Sequence, residues 1–232
     1  MRASHESGEN GNRIVWRWLV VLVPLVLLAH EAHELAHTLT GRLVCGRWAE
    51  RDFTRWSIEG ACDSGWPTAA GPLLSYALMA AGALLALRPD RARRWAAAAL
   101  VFAANPLARL VTAISGHGDE MLVARVWAGP AASAAWVHLA TAGVVALSCI
   151  VALAAAWQAL AGSARRGLLF LFGLSAGIAI TGPLLPMLNR WLQAGILAGP
   201  VAGAPLLVHL VTLASAAGAV ACLPWLTHPV RG

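Results

Sequence analysis

The chain has 232 residues, of which 59% are hydrophobic and only 12% charged, and its mean hydropathy is +0.66. Soluble domains carry about a quarter charged residues, so these values exclude an ordinary soluble fold and imply a polytopic membrane protein. The formal net charge of +6 comes from arginine alone, in short clusters between apolar runs and without a basic stripe of interleaved aromatics. That pattern excludes nucleic acid as a partner and points to the lipid bilayer, whose headgroups anchor arginine and tryptophan at span ends.

In chain order, residues 1–13 form a polar N-terminal tail. The apolar run after it is too long for the core of a cleavable signal peptide, so none is expected. Runs reaching the ~20 residues that cross a bilayer predict spans at about 14–40, 67–87, 95–114, 130–157, 167–185 and 201–226. The expected fold class is therefore all-α and polytopic, with about six transmembrane helices. Pro24 and Pro106 predict kinks in the first and third spans.

Residues 41–66, GRLVCGRWAERDFTRWSIEGACDSGW, hold four arginines and four acids. The alternation in RDFTRWSIEG predicts a short β-hairpin insert at the membrane surface after the first helix. Cys45 and Cys62 flank it; they would pair in an oxidising compartment and stay reduced in the cytosol. Cys149 and Cys222 fall in apolar spans and read as small core residues. Between the third and fourth spans, SGHGDEMLVARVWAG is too polar to cross lipid and predicts a turn plus a short interfacial helix. On this reading residues 14–129 form the functional core, with its insert 41–66 and a loop at 115–129, and residues 130–232 add further transmembrane helices. An N-terminus in the cytosol puts ten arginines on that face and seven opposite, but four of the seven lie in the insert.

The end of the first span reads LAHEAHELAHTLTG. Ionisable residues inside a span are costly and usually functional, and here three histidines and two glutamates sit together. His33-Glu34-Leu35-Ala36-His37 matches H-E-x-x-H. Residues four apart share a helical face, so His33 and His37 can reach one zinc ion, with Glu34 beside them as general base toward activated water. Zinc needs a third protein ligand and an open position. Asp119, in GHGDE, is the main candidate, and the same position suits a helix N-cap. His117 competes with it, and His30 shares the helical face of His33.

These segments resemble the site-2 protease family of intramembrane zinc metalloproteases. HELAH lies inside a span, CGRWAERDFTRWSIEG is similar to the family's membrane-associated hairpin, and AGPLLSY is similar to its Gly-Pro-x-x-Asn signature. GHGDEMLVARV stands where the family carries an Asp-Gly motif. Ser75 replaces the usual Asn, Gly-Asp-Glu replaces Leu-Asp-Gly, and Asn105-Pro106 lies farther upstream than usual. The resemblance covers about residues 28–127. It implies a zinc endopeptidase with His33, His37 and Asp119 as ligands and Glu34 as base. Gly71, Pro72 and Asn105 become substrate-binding candidates, and single-span membrane proteins, cut in a bacterial cell membrane, become the substrates. Family members usually hold zinc nearer the cytosolic face, which opposes the arginine bias. Two other classes suit the same residues: a non-catalytic zinc scaffold, and a transporter with a His/Glu ion pathway.

Overall fold

The computed structural model describes residues 2–58, 62, 64–161, 163 and 165–227. Eight helices follow one another among these residues: α1 (Arg2–Cys45), α2 (Trp66–Ala86), α3 (Arg91–Ala103), α4 (Pro106–Ile114), α5 (Asp119–Ala128), α6 (Ala134–Ala159), α7 (Arg166–Gln193) and α8 (Leu206–Thr227). Two antiparallel hairpins interrupt them, β1 (Glu50–Arg51) with β2 (Trp56–Ser57), and β3 (Pro200–Val201) with β4 (Ala204–Pro205). Six segments are long and apolar enough to cross a membrane. The chain is an all-α multi-pass membrane protein, and a short helix, α5, follows the turn in the polar GHGDE segment as predicted.

Several boundaries differ from expectation: α7 runs on to Gln193, and two others have a plain local reason. Pro24 lies inside the single helix α1, with Gly218 of α8 close against its ring. Pro106 does more than kink the third span: it separates α3 from α4. Proline lacks an N–H and pushes the residue before it out of the helical region. Asn105 accordingly adopts a left-handed conformation (φ 56°, ψ 56°), which asparagine tolerates, and its side chain caps α4 by accepting from Ala108 N at 3.4 Å. The sixth span starts at Leu206 rather than near 201, because PVAGAP folds into the β3–β4 hairpin over two positive-φ residues, Ala202 and Gly203.

The main core joins α1, α2, α3, α6 and α7 around Trp18, Leu22, Met79, Phe102, Cys149 and Leu169. Trp18 packs edge-on against Trp95 and Phe102 and donates its indole N–H to Trp95 O. Ala97, Ala98 and Ala99 are fully buried. Small side chains of this kind let membrane helices approach closely where no hydrophobic force drives them together.

The first hairpin forms, with two residues per strand, and it is docked rather than loose. Phe53 is fully buried among Leu185, Leu188, Leu207 and Val208. Its amide donates to Asn189 Oδ1 at 3.1 Å, and its carbonyl bonds His30 Nε2 at 2.9 Å. Arg51 reaches the buried Glu31 carboxylate at 3.1 Å, which also accepts from Thr212 Oγ1 at 3.0 Å. Arg51 N donates to Gly203 O in the second hairpin. A Cys45–Cys62 disulfide closes the insert at its base.

Candidate metal centre

The side chains of interest hang from two helices. On α1, His33 and His37 lie one turn apart and are buried, His37 completely. On α5, Asp119 is the first helical residue. The capping role open to it is not used, since Gly118 is the cap residue and the Asp119 carboxylate faces the imidazoles. His33 Nε2 lies 3.2 Å from Asp119 Oδ2, His37 Nε2 lies 3.4 Å from the same oxygen, and the two Nε2 atoms are 3.1 Å apart. A tetrahedral zinc with bonds of 2.0–2.1 Å has ligand–ligand edges of ~3.3 Å, so these three atoms form a triangle of the right size.

The protein orients both rings from behind. His37 Nδ1 donates to Pro67 O at 2.7 Å, and His33 Nδ1 bonds Ser75 Oγ at 3.0 Å. Pro67 O can only accept, so the neutral His37 ring carries its proton on Nδ1 and presents a lone pair at Nε2. That lone pair points at a carboxylate oxygen. A cation held among the three atoms would satisfy both acceptors, and outer partners on Nδ1 are the usual support for a metal-ligating histidine. Ser75 of AGPLLSY thus supports the His33 ring by its hydroxyl. On the opposite side Trp56 of β2 stacks on His37, with centroids 4.7 Å apart and planes 15° from parallel.

Gly71 explains how α2 comes so close. A Cβ built there would overlap His37 Nε2 and His33 Cε1. Gly71→Ala is therefore expected to weaken zinc binding ~10–100-fold, as loss of ligand support generally does. Helix propensity alone would instead stabilise the variant by about 0.5–1 kcal/mol. Zinc competition with a chromogenic chelator reads this directly; unchanged affinity would mean that α2 does not position the rings.

A cavity of about 260 Å³ opens beside the triangle, lined by His33, Glu34, Asn105, Arg109 and Asp119 among others. Glu34 is buried, and its Oε2 has no hydrogen-bond partner among the described residues. A second cavity, of about 500 Å³, runs along residues 54–58 of the hairpin and also reaches Asp119. Asp119 is the wall the two share.

Several candidates lie outside the triangle. His30 lines the same cavity but is engaged with Phe53 O, and His117 is exposed; neither belongs to the His33–His37–Asp119 group. Pro72 is buried and lines a different, apolar recess between α2, α5 and α6. Sequence reasoning missed Arg109 and Tyr76, and singled out Glu120 without giving it a role. Arg109 Nη1 donates to the buried Glu120 at 3.2 Å, and the Tyr76 hydroxyl donates to the same oxygen at 3.0 Å. The signal was present: Arg109 is the one charge in NPLARLVTAI, and the cost that marks the histidines marks it equally.

Comparison of the chain with protein-family models, curated proteins and solved structures gives no match.

Proposed function

We propose that this protein is an intramembrane zinc metallopeptidase of the site-2 protease kind, hydrolysing peptide bonds of single-span membrane proteins in a bacterial cell membrane. The observation that carries the reading is the triangle of His33, His37 and Asp119, with an orphaned glutamate oxygen on the adjoining cavity. Charge supports it too. Asp119 presents its carboxylate to the two Nε2 atoms, so a cation held among the three would meet a negative charge at one of its own ligands.

His33 Nε2, His37 Nε2 and one Asp119 oxygen are the groups that would hold zinc. Zinc bound there supplies a Lewis acid, which polarises the scissile carbonyl and makes water a competent nucleophile near neutral pH. Ser75 and Pro67 keep the two rings in the tautomer and orientation that ligation needs. Glu34 takes a proton from the attacking water and later delivers it to the departing amine. The surrounding helices keep bulk water away.

A substrate helix has its carbonyls paired internally and must unwind before it is cut. Among the described residues β2 has only β1 as a strand partner, and its outer side borders the larger cavity that ends at Asp119. An unwound substrate strand added there would be led toward the metal by main-chain hydrogen bonds.

Metal analysis of the purified protein tests the reading: about one zinc per chain is expected. Chelation should abolish cleavage of a membrane-embedded peptide library, and added zinc should restore it. A protein that takes up iron in place of zinc, or cleaves after chelation, overturns the proposal.

A further inference from the structure

Arg109 lies inside the third membrane span, where a guanidinium persists only with partners or beside a polar cavity. One edge is accounted for. Nη1 is held by Glu120, itself fixed by Tyr76, and sits 3.7 Å from Asp119 Oδ2. The other edge is not. Nη2 lies 2.9 Å from Nδ1 and 3.0 Å from Nε2 of His33, at the wall of the cavity that Glu34 also lines.

A neutral imidazole offers one donor and one acceptor. If the Nε2 lone pair of His33 goes to a metal, its proton is on Nδ1, and that proton goes to Ser75 Oγ. No acceptor on the ring then remains for Arg109. The Arg109 side chain is 16% exposed and lines the cavity, so the acceptor for Nη2 comes from what enters there, water at rest and substrate during reaction. Asn105 also lines the cavity; its Oδ1 accepts at the α4 cap, and its neutral Nδ2 offers a weaker donor than a guanidinium.

We infer that Arg109 is a catalytic residue of the proposed peptidase, donating from Nη2 to the scissile carbonyl oxygen as that oxygen gains negative charge. The inference rests on the peptidase reading and adds to it the group that meets the developing charge. In the step concerned, a bond forms between the water oxygen and the carbonyl carbon. One water proton passes to Glu34, and the carbonyl π pair moves onto its oxygen. Negative charge leaves Glu34 as it arises at Arg109, so the cavity's formal charge does not change. The pair then returns, the C–N bond breaks, and the proton on Glu34 goes to the nitrogen, giving a carboxylic acid and an amine.

Two variants test this: Arg109→Lys, and Arg109→Met with Glu120→Gln, which conserves formal charge. The probes are an Ala-Leu phosphinic pseudopeptide, whose anionic tetrahedral phosphinate mimics the charged oxygen, and the matching amide peptide, both in lipid nanodiscs. Removing a preformed oxyanion donor costs about 10²–10³-fold; that loss is expected in kcat and in phosphinate affinity by calorimetry, with zinc retained and KM little changed. Arg109→Lys should recover part of the loss, and added guanidinium should partly rescue the double variant. Equal losses in KM and phosphinate affinity would make Arg109 a substrate anchor and overturn the inference. So would wild-type phosphinate binding in both variants, or loss of zinc from both. A wild-type protein that neither holds zinc nor cleaves sinks the peptidase reading itself.

Discussion

Glu34→Gln should retain zinc at wild-type stoichiometry and lose cleavage by ~10²–10⁴-fold, the usual worth of a general base. The substitution preserves size and hydrogen-bonding shape, and Glu34 is not one of the three atoms of the metal triangle. What it removes is basicity at a buried oxygen that no described neighbour engages. The comparison also separates the rival classes. A zinc scaffold would be indifferent to the change, whereas a transporter would lose transport and have no cleavage to lose. The measurement is turnover of a membrane-embedded peptide library at matched zinc content. Cleavage surviving in the variant would remove Glu34 from the mechanism.

The second large effect concerns the metal itself. His33→Ala and His37→Ala should each take zinc below detection, because each leaves two protein ligands where a catalytic site uses three. Asp119→Ala should weaken binding strongly while both imidazoles stay held from behind by Ser75 and Pro67. His30→Ala and His117→Ala should leave zinc in place, since His30 is spent on Phe53 O and His117 is exposed. Zinc content of the five purified variants decides the matter. A chain that keeps its metal without Asp119 and loses it without His117 would refute this ligand set.

Much of this architecture is legible in sequence because its causes are local. Spans follow from apolar run length, and the geometry of His33 and His37 follows from helical periodicity. Asp119 and Glu120 stand out as the only acids after Asp90. What is not legible depends on contacts between distant segments. PVAGAP is apolar enough to pass for part of a span, and only its turn conformation makes it a hairpin. Arg109 looks like one more topological arginine until Glu120 and Tyr76 meet it from two other helices. Gly71 and Pro72 read as one substrate motif, yet Gly71 faces the ligand rings while Pro72 lines another recess.

The anchoring of the first hairpin bears on modularity. Every chemical group of the proposed centre lies before residue 121, which invites the thought of a minimal enzyme made from the first half of the chain. The contacts argue otherwise. Phe53 owes its amide acceptor to Asn189 and its packing to Leu185, Leu188, Leu207 and Val208, while Arg51 and Thr212 both donate to Glu31. Through Trp56, the same hairpin leans on a ligand histidine. Trimming the last two helices would strip polar groups of their partners inside lipid and loosen the wall of the proposed centre, so the first half of the chain cannot be transplanted without the half that braces it.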